Sequence, residues 1–422
     1  MSQNLATEYQ KKTDREHILD APDTYIGQTD TDETKNWLLQ SDGGFKYQNY
    51  SWIPGLFKCF DEGIVNARDH AVRMVQKSKK SKNVSLVKNI SIDVDEKTGV
   101  ITMTNDGNGI DVAKHPEHNL WIPEMIFGHL RTSTNYDKSE KKIVGGKNGF
   151  GFKLVLIYAK WGTIETVDHI RKQKYTQRFE NNLETILPPV IKKSSVKPYT
   201  KVSWLPDYKR FGIDSLTPTM FKLFKKRTYD IAAVTDKQVA VKFNGNTLPI
   251  RTFEQYIDMY IGSKEQTKRI FESSSSGRWE YAVCLSPVDE FTHISFVNGI
   301  STTRGGKHVD YILKQITRKM QAYIEKKKKV KVKENTIKEQ LMLFLNCVVE
   351  NPSFDSQSKE SMNTPVSKFG SKCEVSDKFV EKLAKMGVME AAISLNEIKE
   401  NKAAKKNDGK KVRTIRGLPN LM

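Results

Sequence analysis

The apolar positions of this chain change period several times, and each change marks an element. From about 53 to 76, Leu56, Phe57, Phe60, Ile64, Val65 and Val72 keep helical spacing, with Pro54 where a first turn tolerates it. The period drops to two in Asn89-Ile-Ser-Ile-Asp-Val94 and Gly99-Val-Ile-Thr-Met-Thr104, and the polar turn from Asp95 joins them into a hairpin. A loop-rich stretch from Asp106 to Phe150 precedes a helix starting near Gly151. Strands are expected over 163–167, 175–179 and 200–204, then a helix over 220–233 and a strand over 239–243 closed by Asn244-Gly245-Asn246. Before all of these, residues 1–26 read as a polar arm with a short helix that Ala21-Pro22-Asp23 closes. A soft boundary near Ile250–Tyr256 separates this first α/β unit from a second. There the serine-rich loop Ser273–Gly277 precedes strands over 280–285 and 292–297 and a helix over 309–324. A helix and an apolar strand follow within 337–349, then helices over 377–386 and 389–399, and a Lys-, Asn- and Gly-rich tail from Glu397 reads as a flexible linker. The class is α+β.

Charge and cysteine usage narrow the function. The 422 residues carry 69 Lys and Arg against 50 Asp and Glu, a formal charge of +19, and a chain this basic commonly meets a polyanion such as nucleic acid. The longest apolar run, Leu341 to Val349, is about half of a membrane span, and the polar N-terminus lacks the apolar core of a signal peptide. Cys59, Cys284, Cys347 and Cys373 have no metal-ligand spacing, which fits buried thiols in a reducing, intracellular setting.

Three motifs carry chemistry. Glu62 and Asn66 stand four apart on the first long helix and so share a face. A carboxamide there suits a hydrated magnesium ion, and a carboxylate can orient and deprotonate a water. Asn105-Asp106-Gly107-Asn108-Gly109 follows a strand; two glycines build a tight floor, and the residue ahead of them can accept a hydrogen bond from an amino group such as adenine N6. Gly145-Gly-Lys-Asn-Gly-Phe-Gly-Phe-Lys153 leads into a helix, where flexible backbone and free N–H groups suit an anion. It is neither a Walker A loop nor a dinucleotide fingerprint. Asp93 and Asp95 read as an exposed strand-to-turn edge, and the histidines as structural.

In this order the motifs resemble the ATP-binding fold shared by gyrase, Hsp90, MutL and histidine kinases. Pro22-Asp-Thr-Tyr-Ile-Gly27, Pro54-Gly-Leu-Phe-Lys-Cys-Phe-Asp-Glu62, Pro123-Glu-Met-Ile-Phe-Gly-His-Leu130, Thr132-Ser-Thr-Asn-Tyr136 and Asn351-Pro-Ser-Phe-Asp-Ser-Gln-Ser-Lys359 narrow the resemblance to the N-terminal ATPase region of type IIA DNA topoisomerases, in the eukaryotic and large-DNA-virus branch. It runs from about Tyr9 to about Leu395. It implies an exchanged arm (1–26), a gyrase/Hsp90-type ATPase α/β sandwich (27–252), a ribosomal protein S5-like α/β transducer domain (253–395) and a basic linker (396–422).

The resemblance also implies roles. Glu62 would be the general base and Asn66 the protein ligand of Mg²⁺, with ATP as substrate. Asn105, with Asp106, Gly107 and Gly109, would hold the adenine; Ser133, Thr134 and Asn135 the ribose and phosphates. Gly146, Lys147, Asn148, Gly149, Phe150, Gly151, Phe152 and Lys153 would wrap the triphosphate. Gln357, Ser358 and Lys359 match a loop whose lysine contacts the γ-phosphate, and Tyr9 matches an arm residue reaching the partner protomer's site. Lys326, Lys327, Lys328, Lys329, Lys331 and Lys333 would face double-stranded DNA. The expected partners are DNA, a second copy in a homodimer closed by ATP, and the cleavage region of topoisomerase II, in the nucleus or at a viral replication site, with no membrane. Gly63, Arg68, Phe150 and Phe152 depart from the family pattern. Neither an EGDSA-like motif nor a matched cleavage tyrosine is found, so hydrolysis without DNA cleavage is expected from this polypeptide, read as an excised fragment or a split subunit. A non-hydrolysing DNA-binding scaffold and a MutL-like ATPase are the alternatives.

Overall fold

The computed structural model describes residues 9, 11–132, 141–146, 151–288 and 290–408, and the chain divides into two compact units. The first comprises Met1–Ser263, Ser295–Lys307 and Asn346–Ser371.

It begins with α1 (Asp14–Asp20), started by a capping box in which Thr13 and Glu16 each accept the other's backbone N–H. A hairpin of β1 (Asp32–Leu39) and β2 (Phe45–Trp52) follows, in register from Asp32 opposite Trp52 to Leu39 opposite Phe45. Next comes α2 (Pro54–Ser78), whose 25 residues bury Leu56, Phe60 and Ile64 on one face, with Pro54 in the first turn. Then follow β3 (Asn89–Val94), β4 (Ile101–Asp106), α3 (Ile122–Gly128) and α4 (Gly151–Ile157). After these come β5 (Ala159–Val167), β6 (Gln173–Glu180), β7 (Thr185–Ile186), β8 (Val190–Lys193) and β9 (Tyr199–Pro206). The unit continues with α5 (Pro218–Ala233), β10 (Ala240–Phe243), β11 (Asn246–Thr247) and α6 (Phe253–Ile261).

The strands form a nine-stranded sheet ordered β11-β10-β3-β4-β9-β5-β6-β7, with β8 also on β6. Only β10 and β3 pair in parallel among the described pairings. Strict alternation on β3 and β4 buries Ile90, Ile92 and Val94 opposite Ile101 and Met103, and the same phase brings Asn105 to the buried face. Helices cover that face: Phe60 of α2 stacks on Phe224 of α5 at 4.2 Å between ring centroids.

The second unit, Lys264–Ile294, His308–Leu345 and Lys372–Met422, holds β12 (Ile270–Ser273), β13 (Trp279–Leu285) and the first half of β14 (Thr292–Val297). The end of β14 pairs with β15 (Ile300–Ser301). The long α7 (Lys307–Lys328) buries Val309, Ile312, Leu313, Ile316, Met320 and Ile324 as one stripe. After α8 (Glu334–Glu339) comes the wholly apolar start of β16 (Leu341–Cys347), which lies between β13 and β14. A buried strand of this kind carries no alternation. The unit ends with α9 (Asp377–Leu383) and α10 (Met389–Asp408).

Two elements differ from the sequence-based reading. The β1–β2 hairpin fills a stretch for which no element is expected. The tail expected to be a linker from Glu397 instead continues α10 to Asp408, where Glu, Lys and Ala are good helix formers and Asn396 donates to Glu400 one turn on. The four cysteines are buried thiols, as expected.

His308, fully buried on α7, has its pKa pushed down to about 3 by burial, and His293 on β14 to about 4 by burial and Lys338. Both pKa values lie below the 6.5 of a free imidazole, so the unfolded chain binds more protons and stability falls as pH drops below about 6.5. The loss at pH 5 is about 1–2 kcal/mol per histidine. Melting curves between pH 7 and 5 should show this slope, reduced in His308→Leu; an unchanged slope in that variant assigns the effect elsewhere.

Candidate active site

The helix α2 carries Lys58, Glu62 and Asn66 at successive turns of one face. Glu62 is 4% exposed. Its Oε1 meets two ammonium groups, Lys58 at 2.8 Å and Lys359 at 3.3 Å. Burial alone would raise the Glu62 pKa, but Lys359 and Lys58 outweigh it and hold the carboxyl below its ordinary range. The neighbouring Asp61 accepts from Arg227 Nε of α5 at 2.7 Å, and Lys58 lies 3.4 Å away. Burial opposes ionisation there too, yet Arg227 and Lys58 bring its pKa down to about 2. Arg227 also donates to the Gly299 carbonyl at 2.8 Å. Two buried carboxylates thus sit among three cations.

The other oxygen of Glu62 lies toward the start of α4. A Cβ on Gly151, at the start of α4, would stand 3.5 Å from Glu62 Oε2 and 3.5 Å from Asn66 Nδ2. The start of α4 thus forms a cradle with a carboxylate and a carboxamide. Gly63 has a steric reason: a Cβ there would come within 2.7 Å of Met103 Sδ, so the residue after Glu62 is small because α2 lies close on β4. Arg68 donates to the carbonyls of Asn298 at 2.9 Å and Val234 at 3.3 Å, which explains a long side chain where the family favours alanine.

At the end of β4, Asn105 donates its Nδ2 to the Asp106 carbonyl at 2.9 Å, leaving its carboxamide oxygen as an acceptor. The Asp106 carboxylate is committed elsewhere, accepting the backbone N–H groups of Lys88 at 2.6 Å and Asn89 at 2.9 Å. Its side chain therefore shapes the start of β3, and only its backbone is offered to a ligand. Gly109 passes so near β5 that a Cβ would overlap the Val167 carbonyl, and Ile110 N–H donates to Thr166 Oγ1 at 2.9 Å.

The glycine-rich segment is held from α2 as well: Asp69 Oδ2 accepts the N–H groups of Gly145 and Gly146, both at 2.9 Å. Lys153 donates to the Thr132 carbonyl at 2.8 Å, and burial lowers its pKa to about 8. Phe152 turns into the core, edge-on to Phe127 at 5.5 Å and Trp204 at 5.3 Å, so it can meet a phosphate only through its backbone. Ser133, Thr134, Asn135, Lys147, Asn148, Gly149 and Phe150 lie outside the described residues.

Lys359 reaches Glu62 from a loop in which its own φ is 62°, a left-handed conformation that costs a lysine about 1 kcal/mol or more. Gln357 and Ser358 share that loop, with Ser356 and Ser358 hydroxyls 2.7 Å apart. Tyr9 is 74% exposed. Lys326, Lys327 and Lys328 form the last turn of α7, and with Lys329, Lys331 and Lys333 they are exposed, while buried Val332 anchors the run.

Residues 53–186 match the family model described as histidine kinase-, DNA gyrase B-, and HSP90-like ATPase, and residues 252–414 the one described as DNA gyrase B. The crystal structure of the ATPase region of Saccharomyces cerevisiae topoisomerase II superposes with a TM-score of 0.86 at 38% identity, over 93% of this chain and 100% of that one. The chain belongs to the ATPase region of type II DNA topoisomerases. The ATPase and transducer domains from Balamuthia mandrillaris align with a TM-score of 0.85 at 36% identity, over 94% of this chain and 99% of that one. Among curated relatives, DNA topoisomerase 2 of Acanthamoeba polyphaga mimivirus is 40% identical over 96% of this chain and 32% of its own length. The enzyme of Saccharomyces cerevisiae is 39% identical over 99% of this chain and 30% of its own length. The chain thus spans about a third of the length of the curated relatives it matches. The fold is the expected one: a gyrase/Hsp90-type ATPase domain and a transducer domain.

Four residues of this topoisomerase ATPase region escaped the sequence reading. Lys58 and Asp69 continue the polar face of α2, four before and seven after Glu62, and that spacing was readable. Thr166 and Arg227 were not, because their partners lie 56 and 166 residues away.

Arg227→Met removes the main partner of a buried carboxylate and should cost about 3–5 kcal/mol in denaturant unfolding, most of it recovered in Asp61→Leu/Arg227→Met. A cost below about 1 kcal/mol would mean Asp61 finds another cation.

Proposed function

We propose that this chain is the ATP-binding and ATP-hydrolysing gate of a type II DNA topoisomerase, which closes as a homodimer on nucleotide and couples turnover to capture and passage of a DNA duplex. The observation that carries the reading is Glu62, buried and ionised, with Oε1 held by two ammonium groups and Oε2 facing the Gly151 cradle. A carboxylate kept charged without surrounding water is a competent base for a water positioned at its open oxygen.

The remaining residues take roles around it. Asn105 accepts from the adenine amino group through its carboxamide oxygen, with Thr166 beside the loop that floors the base. Gly151 and the glycine-rich residues ahead of it offer backbone N–H groups to the phosphates, and Asp69, which accepts the N–H groups of Gly145 and Gly146, fixes where that segment starts. Asn66, with its carboxamide at the cradle, fits as the protein ligand of Mg²⁺, which supplies charge neutralisation to the triphosphate.

Lys359 Nζ lies 3.3 Å from Glu62 Oε1. A γ-phosphate is the stronger partner for its ammonium, so ATP draws Lys359 off the base, frees the carboxylate to act and leaves Lys58 to hold it. Hydrolysis then removes that partner, which makes Lys359 both a stabiliser of developing charge and a sensor of the γ-phosphate. The exposed lysines from 326 to 333 bind duplex phosphates without sequence preference. The exposed Tyr9 reaches the partner protomer's nucleotide. The setting is the cell's or the virus's replicating DNA.

Steady-state ATP turnover with Mg²⁺ should rise faster than linearly with protein concentration, as a dimer-dependent site requires. Glu62→Gln should still bind ATP and lose about 100-fold or more in kcat. A linear rate from a protein shown to be monomeric would remove the dimeric gate, and turnover retained by Glu62→Gln would remove its role as base.

A further inference from the structure

The loop ahead of α3 holds a cluster that the ATPase reading leaves unused. His115, Glu117 and His118 each place one ligand atom within 4.8 Å of the others. The two imidazole rings stack at 4.7 Å between centroids with planes 20° apart. We propose that this loop is a zinc(II) site, with two imidazole nitrogens and one carboxylate oxygen as ligands and an open position left for water.

The donor set selects the metal class. Two imidazoles with a carboxylate suit zinc and its first-row neighbours, whereas magnesium and calcium prefer all-oxygen shells. The site is therefore distinct in chemistry from the magnesium position at Asn66. The backbone fixes the loop before any metal arrives. His115 N–H donates to the Leu120 carbonyl at 2.7 Å, Asn119 N–H to His115 at 2.9 Å, and Ile122 N–H to Ala113 at 2.9 Å. Lys114 and Trp121 bridge as an antiparallel pair at the loop's base. The ligand atoms lie within 4.8 Å of one another, and exposed Glu117 and His118 can adjust by side-chain rotation to the bonds of about 2.0–2.2 Å that a tetrahedral zinc takes. The Glu117 N–H contact to His115 Nδ1, 3.3 Å long, is given up at small cost.

Bound zinc would brace the loop that opens α3. At the far end of that helix, Thr132 Oγ1 donates to the Met125 carbonyl at 2.6 Å, and the Thr132 carbonyl receives Lys153. A clip at His115–His118 thus steadies the approach to the nucleotide loops without touching nucleotide.

The whole chain should take up one Zn²⁺ in calorimetric titration, with an apparent Kd on the order of micromolar. Co²⁺ in its place should give ligand-field absorption without a thiolate charge-transfer band, since the four cysteines are buried. Co²⁺ should also quench Trp121, an effect lost in Trp121→Phe. Glu117→Gln and His118→Gln change exposed side chains that the fold does not need, and each should weaken binding about tenfold or more. The proposal is overturned if those variants bind zinc like the parent chain, if cobalt shows thiolate ligation, or if no stoichiometric uptake occurs.

Discussion

Two adjacent carboxylates buried in the middle of a helix are tolerable only with cations brought to them, and this requirement organises the first unit. Unpaired, each would cost several kcal/mol and take up a proton. Lys58 comes from the preceding turn of α2, Arg227 from α5, and Lys359 from a loop almost 300 residues on in sequence, strained at its own backbone to arrive. Charge balance thus ties α2 to two other parts of the chain. Whatever perturbs one partner is felt at Glu62.

The arrangement also divides the labour between the two acids. Asp61 is pinned by a buried guanidinium that itself holds the Gly299 carbonyl, so its role is to fix the helix in place. Glu62 keeps one oxygen on two ammonium groups and turns the other toward the start of α4. A small residue serves the same geometry: Gly63 lets α2 approach Met103.

Much of this was legible in the sequence because local periodicity carries it. The spacing of Leu56, Phe60 and Ile64 marked α2, and period-two runs marked the β3–β4 pair. The β1–β2 hairpin was not legible, since Trp37, Leu38 and Leu39 are buried in succession and break the alternation. Composition misread the tail, because a Lys- and Asn-rich stretch still contains enough helix formers to extend α10. Glu62 and Asn66 were marked by their spacing on one helical face, whereas Lys359 was named only by resemblance to a family, since no local rule connects it with Glu62. Side-chain direction is what a motif leaves unstated, and it turned Phe152 to the core and the Asp106 carboxylate to β3.

The central claim is that ammonium groups keep the buried Glu62 ionised for catalysis, and the pH dependence of ATP turnover in Lys58→Met tests it most directly. Burial favours the protonated carboxyl and Lys58 opposes it, so removing Lys58 raises the Glu62 pKa. The account predicts that the acidic limb of the kcat profile moves to higher pH, with ATP affinity at alkaline pH retained. An acidic limb that stays where it is, in a variant that folds and turns over ATP, would contradict it.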